Sequence, residues 1–194
     1  MKKLMNIAIA LLFAIAANAQ TWTVDKAHAK LGFTITHLLI SDVEGSFKSF
    51  EAKITSSKDD FSDAVFELTA NVSSISTDNE RRDAHLSGAD FFDVVNYPTL
   101  VFKSKTFTKV EGKQYKLTGD LTMHGVTKPV ELFVVLNGLI QQPNGVNRIA
   151  GFKATGKLNR KDFGIAPSTP AAILSDEVML TANGEFQESK SGTN

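Results

Sequence analysis

Cysteine is absent from the 194 residues, and that absence closes several routes at once. Disulfides cannot staple the fold, a thiol cannot serve as nucleophile, and thiolate metal sites cannot form. Lipid anchoring through a cysteine behind an export signal is excluded for the same reason. A surplus of either charge is also missing, since 21 basic side chains face 21 acidic ones. Nucleic-acid binders carry a basic field, so no nucleic-acid partner is expected. Neither a Gly-x-Ser-x-Gly nucleophile elbow nor a glycine loop that cradles phosphate occurs. Histidine is scarce: His28, His37, His85 and His124 are the only four, and no two are spaced to share one helix face as metal ligands. No metal and no cofactor is expected.

What is present begins with an export signal. Lys2 and Lys3 form a positive start, Leu4 to Ala17 an apolar run, and Ala17-Asn18-Ala19 a small-residue cleavage site. The run falls short of the ~20 residues a membrane-spanning helix needs, and no stop-transfer charges follow. Residues 1–19 are therefore expected to be removed and the rest delivered to the periplasm or the medium. Cleavage leaves 19 basic against 21 acidic side chains, a balance of −2. Residues 20–188 have the length of one domain, and 189–194 read as a disordered polar tail.

Beyond the signal the governing pattern is alternation, the period of a strand with one buried face. Leu31, Phe33 and Ile35 face one way while Lys30, Thr34 and Thr36 face the other. The pattern returns at Val43 to Ser57, where Phe50 breaks it and suggests a bulge. It returns again at Phe66 to Val72, Leu100 to Ser104, Leu117 to Met123, Val130 to Val134, Ile149 to Leu158 and Val178 to Phe186. Turn residues at Ser57-Lys58-Asp59-Asp60, Glu111-Gly112-Lys113, His124-Gly125, Gln142-Pro143-Asn144-Gly145 and Pro167 to Pro170 separate these runs. The fold class is all-β: an antiparallel up-and-down meander of about eight strands, closed into a barrel because closure removes exposed edges. A two-layer sandwich is the competing architecture. Gly119, Gly151 and Gly156 inside strands favour the coiling a barrel requires.

One stretch near residues 78–95 breaks the β pattern. Thr77-Asp78-Asn79-Glu80 has capping-box spacing, which predicts a helix from Asp78 to Ser87 capped by Thr77 and ended at a left-handed Gly88. Ala89 to Val95 extend it by a turn before Pro98. The charged helix lies over one end of the barrel, with Phe91, Phe92 and Val95 pointing in. Arg81, Arg82, Asp83 and His85 read as a solvated face with Asp83 bonded to a loop. Residues two apart on a helix diverge, so Asp83 and His85 do not form an acid–base pair unaided.

The ordered motifs Gly32-Phe33-Thr34-Ile35-Thr36-His37, Gly45-Ser46-Phe47, Arg82-Asp83-Ala84-His85-Leu86, Asp90-Phe91-Phe92-Asp93, Tyr97-Pro98, Gly119 to Thr127 and Asn159 to Ile165 resemble the YceI-like proteins. These are a lipocalin-like, polyisoprenoid-binding family, and the likeness runs from Trp22 to about Phe186. It implies an exported, often periplasmic protein, an elongated barrel around an apolar tunnel, an isoprenoid ligand and a homodimer. Ala29 stands where many members carry serine, so no role for that hydroxyl transfers. Together with the inward apolar excess, the resemblance gives a non-catalytic carrier with an apolar lipid as partner and transient membrane contact. The expected lining is Phe33, Ile35, Phe47, Phe66, Leu68, Phe102, Leu121 and Leu132. Phe91 and Phe92 close the helical end, and His37 is the polar contact. Two alternatives stand beside it: a hydrolase or isomerase acting on an apolar substrate through His37 or the Asp83/His85 region, and a stress-related interaction protein whose barrel is solid.

Overall fold

The computed structural model describes residues 19–142, 145 and 147–189. Residues 1–18 of the expected signal segment, 190–194 of the expected tail and part of the turn at 142–145 lie outside the described residues. Ten strands appear in chain order: β1 (Gln20–His37), β2 (Ser41–Phe47), β3 (Phe50–Ser56), β4 (Val65–Asn71), β5 (Ile75–Ser76), β6 (Thr99–Glu111), β7 (Gln114–Met123), β8 (Val126–Gln141), β9 (Arg148–Asn159) and β10 (Leu174–Ser189). One helix, α1 (Glu80–Leu86), lies between β5 and β6.

Every pairing is antiparallel, and β10 returns to pair with β1, so the sheet closes. Both β2 and β3 pair with β1, and β5 continues beyond β4 to pair with β2. Two interrupted strands therefore each act as a single stave, and the wall is an eight-stave barrel, not a sandwich. The expected bulge at Phe50 is a full break: Lys48 and Ser49 leave the ladder, and their N–H groups bond the Ser74 carbonyl and hydroxyl. His28 lies inside β1, where pairing with β10 skips between Val24 and Ala29.

Alternation places the core. In β7 Tyr115, Leu117, Gly119, Leu121 and Met123 are buried, while the residues between them face outward. Gly112 and the His124-Gly125 pair hold the positive φ that the tight turns require.

The helical insert departs from expectation at both ends. Asp78 has φ of 58°, which no right-handed helix accepts, so the helix begins two residues later. Asn79 is the N-cap, accepting from the Arg82 N–H. Thr77 is buried and held by Asp83, which accepts from its N–H at 2.8 Å and its hydroxyl at 2.6 Å. Arg82 donates to the same hydroxyl and to the Thr77 carbonyl. Gly88 is not left-handed; Ser87, in a right-handed conformation, ends the helix. The stretch from Ala89 is a run of turns without helix, and Val95, expected inside, is 87% exposed.

Candidate functional site

The barrel interior divides along its axis. At one end Trp22, Phe61, Phe66, Phe107, Tyr115, Phe152 and Phe186 interlock, mostly edge to face. Trp22–Phe61 and Phe61–Phe152 lie at centroid separations of 5.1 and 5.0 Å, and Phe107 stacks on Tyr115 at 4.4 Å. Phe61 arrives from the β3–β4 loop and is fully buried. Arg148 closes this end, lying over Trp22 while paired with Glu188 and Asp59.

At the other end the same strands enclose a cavity of about 880 Å³, near the top of the ~300–1,000 Å³ range of ligand sites. On β1 its lining runs from Leu31 to His37, roughly 20 Å at ~3.3 Å per residue. That exceeds one leaflet, half of a bilayer's ~30 Å hydrocarbon core. The wall is aliphatic and aromatic. Exposed polar groups on the lining, among them His37, Arg82, His85, Asp90 and Ser168, come from the β1 end, α1 and the loop after it, and the loop before β10.

Ten of the eleven expected site residues line this cavity: Phe33, Ile35, His37, Phe47, Leu68, Phe91, Phe92, Phe102, Leu121 and Leu132. Phe66 does not. Its strand neighbour two positions on, Leu68, reaches the cavity, but Phe66 packs into the solid half against Phe107 at 4.8 Å and Phe152 at 5.7 Å. His37 is exposed at the opening and is not a core histidine. His85 also reaches the lining, while His28 and His124 are engaged away from it. His124 Nδ1 lies 3.0 Å from the Phe163 carbonyl, and the ring packs edge-on against Tyr97. His85 packs on Phe91, while Asp83 turns to Thr77, so these two do not converge on one atom.

What keeps the hollow half open is a set of cross-strand exchanges of bulk for nothing. Phe33 pairs directly with Gly45, and a Cβ there would lie 2.3 Å from the ring's Cζ. Phe102 covers Gly119 diagonally across the β6–β7 pair, and Leu132 covers its direct partner Gly156. Each large side chain lies back on the neighbouring strand instead of reaching the axis. Sequence reasoning noticed two of these glycines, but assigned them to coiling.

The mouth has an organiser that sequence reasoning missed. Arg160, 1% exposed, sits in a 3-10 turn (Arg160–Phe163) after β9. Its guanidinium donates to the carbonyls of Ile165, Ala166, Thr169 and Leu174 and to Asp176, and its Nε to the Ser175 carbonyl. The segment from Ile165 to Leu174, which forms one lip of the cavity, is thereby fixed around one cation. The Ala166 N–H bonds the Asp90 carbonyl, tying this lip to the helical insert. The motif from Asn159 to Ile165 contains Arg160, but the carbonyl cluster that gives it this role is formed only in the fold.

Near the bulge of β1, Asp25, His28 and Glu185 come together. His28 Nδ1 is 3.0 Å from Asp25, which also accepts from the Ala27 N–H and from Gln187. The bond to Asp25, with Glu185 nearby, pushes the His28 pKa up, and the bond from His28 pulls the Asp25 carboxyl down. A hydrogen bond joins His28 to Asp25, while Glu185 stands 3.8 Å from the imidazole, near enough only for a charge interaction.

The family model described as the YceI-like domain matches residues 22–186. The Protein YceI of Salmonella newport is 37% identical over 191 residues, 96% of this chain and 99% of that protein. A YceI protein of Campylobacter jejuni of known crystal structure is 37% identical, covers 87% of this chain and 98% of its own, and superposes with a TM-score of 0.73. A polyisoprenoid-binding domain from Saccharophagus degradans, implicated in plant cell wall breakdown, shares the fold at a TM-score of 0.62 and 12% identity, over 87% of this chain and 98% of its own.

Proposed function

Because the chain belongs to the YceI-like family, we propose that it binds a long apolar lipid of isoprenoid type without transforming it, and that it does so after export. The observation that carries this reading is the 880 Å³ apolar cavity, closed at one end by interlocked rings. Each methylene withdrawn from water contributes ~0.8 kcal/mol, so a chain filling some 20 Å binds strongly from water without a charged anchor. Against a bilayer the gain nearly vanishes, since the chain is already out of water there. Exchange with membranes is then reversible, which suits carriage or storage. The solid-barrel alternative applies to the aromatic half alone. Catalysis by Asp83 and His85 finds no support in their divergent contacts. Export rests on the signal-like residues 1–19.

The test is organic extraction of the purified protein followed by mass spectrometry, with uptake of added prenyl alcohol measured in parallel. An intact lipid in the extract is the expected result. Repeated recovery of no lipid, with no uptake, sinks the carrier; a lipid recovered chemically altered sinks the claim of binding without turnover. The intact mass of the protein from its host is expected to begin at Gln20.

A further inference from the structure

The hairpin between β1 and β2 carries three consecutive exposed aliphatic residues at its tip: Leu38 at 48%, Leu39 at 68% and Ile40 at 83% exposure. Water gives no reason for such a tip, and the backbone gives a reason against it. Leu38 and Leu39 both have positive φ, 52° and 60°, and the Ile40 N–H bonds the His37 carbonyl at 3.2 Å. This is the pattern of a type I′ turn, whose central positions favour Asn-Gly and penalise residues that carry a Cβ. Strain and exposed apolar surface coincide on the same two leucines, so a contact outside the folded monomer has to account for them. The tip also leans on the cavity lip: the Leu38 N–H bonds the Ile173 carbonyl at 2.9 Å, and Ile173, itself 47% exposed, lines the cavity as does His37.

We propose that Leu38, Leu39 and Ile40 dip into the interface of a lipid bilayer and seat the cavity mouth on the membrane. Three features favour a bilayer as occupant. The apolar surface meets the cavity lining at Ile173, so a chain leaving the membrane beside the tip finds an exposed aliphatic step into the cavity, with His37 as its polar neighbour. Three residues fall far short of the ~800 Å² per partner, some 20 residues, of a stable protein interface, whereas a bilayer accepts a small apolar wedge. Close by in sequence stand the exposed acids Asp42 and Glu44, so an uncharged, zwitterionic surface suits the tip better than an anionic one. The inference extends the lipid-carrier reading, but the contact itself is measured without any ligand in the cavity.

The experiment is flotation with phosphatidylcholine vesicles, comparing the unaltered protein with the triple variant Leu38→Asn, Leu39→Gly, Ile40→Thr. The variant installs the residues the turn prefers, so its melting temperature is expected to hold or rise while the vesicle-bound fraction falls ~10-fold. As a second readout, Ile40→Trp is expected to be quenched by brominated phosphatidylcholine, whereas Trp22, 2% exposed in the packed half, is not. Equal flotation of variant and unaltered protein, or no flotation of either, overturns the proposal. So does a tip whose replacement shifts only the monomer–dimer balance in sedimentation velocity. Uptake of prenyl alcohol from a detergent dispersion separates the two claims: the triple variant should retain it, and its loss from every protein, the unaltered one included, counts against the carrier and not against docking.

Discussion

Replacing Gly45 by alanine tests whether the cavity is held open by side chains lying flat on glycine. The added Cβ would stand 2.3 Å from Phe33 Cζ and 2.7 and 2.9 Å from its Cε atoms, with no backbone atom among its three nearest neighbours. Ordinary contact begins at 3.4 Å, so the ring must retreat by about 1.1 Å, and the void beside it is where it can go. In stability, part of the Phe33–Phe47 contact, at a centroid separation of 6.0 Å, is lost at ~0.5–1.5 kcal/mol. Restricting the unfolded chain returns ~0.4–1 kcal/mol. The net change is expected within about 1 kcal/mol, a melting shift of no more than about 4 °C for a chain of this size. In binding, a ring that excludes two or three methylenes costs about 2 kcal/mol at ~0.8 each, or roughly thirtyfold in prenyl-chain affinity. Gly119→Ala is the contrast. There the Cβ meets the Lys103 carbonyl oxygen at 2.5 Å, a backbone atom that cannot swing away, and overpacking is expected to cost ~1–3 kcal/mol. Calorimetry and fluorescent-lipid titration on both variants decide the matter. Gly45→Ala proving the more destabilising of the two, with uptake unchanged, would refute the account of the open half.

Leu68→Trp adds bulk to the hollow wall and should leave the melting temperature nearly unchanged while abolishing chain uptake; a filled core would instead lose ~1–3 kcal/mol. Arg160→Met strands the carbonyls of the lip, and with a buried charge network broken the loss is expected at about 3 kcal/mol or more. Hydrogen exchange should show it first in residues 165–175. For Asp63, burial opposes ionisation, but hydrogen bonds from Ser56 and Ser57 outweigh it and hold the carboxyl down at about 2. A lowered carboxylate stabilises above its unfolded value near 4 and loses that contribution as pH falls toward 2. Acid unfolding of Asp63→Asn should therefore differ from the unaltered protein at pH 5 and converge with it near pH 2.

The staves of the barrel were legible because alternation survives through most of the wall: β7 reads inward and outward without a fault from Gln114 to Met123. Which inward residues meet a void was not, and Phe66 shows why. It shares a face with Leu68, and nothing in their own strand separates them; the difference comes from Phe107 and Phe152, which belong to other strands. The helix start was misplaced by two residues because the Thr77 hydroxyl suits a cap equally well in sequence. In the fold, Arg82 and Asp83 claim that hydroxyl, and the turn at Asp78 forbids helix there. Arg160 lay within a motif quoted for the resemblance, but nothing local disclosed its role, since its carbonyl partners lie along a loop of irregular backbone.

The division of the interior has a consequence for traffic. Packed aromatic rings capped by Phe61 leave no passage toward the Trp22 end, so a chain held in the barrel enters and leaves by one opening. That opening lies between the helical insert and the lip that Arg160 fixes. For the carrier proposed above, donor and acceptor would then meet the same face of the protein, in turn and not together. Exchange under that proposal is a two-visit process, governed by how well that face seats and how readily it lifts. Strong, permanent docking would defeat it, because a carrier that cannot leave the donor delivers nothing. In the docking proposed above, a small apolar tip of three residues would supply a contact of the reversible kind.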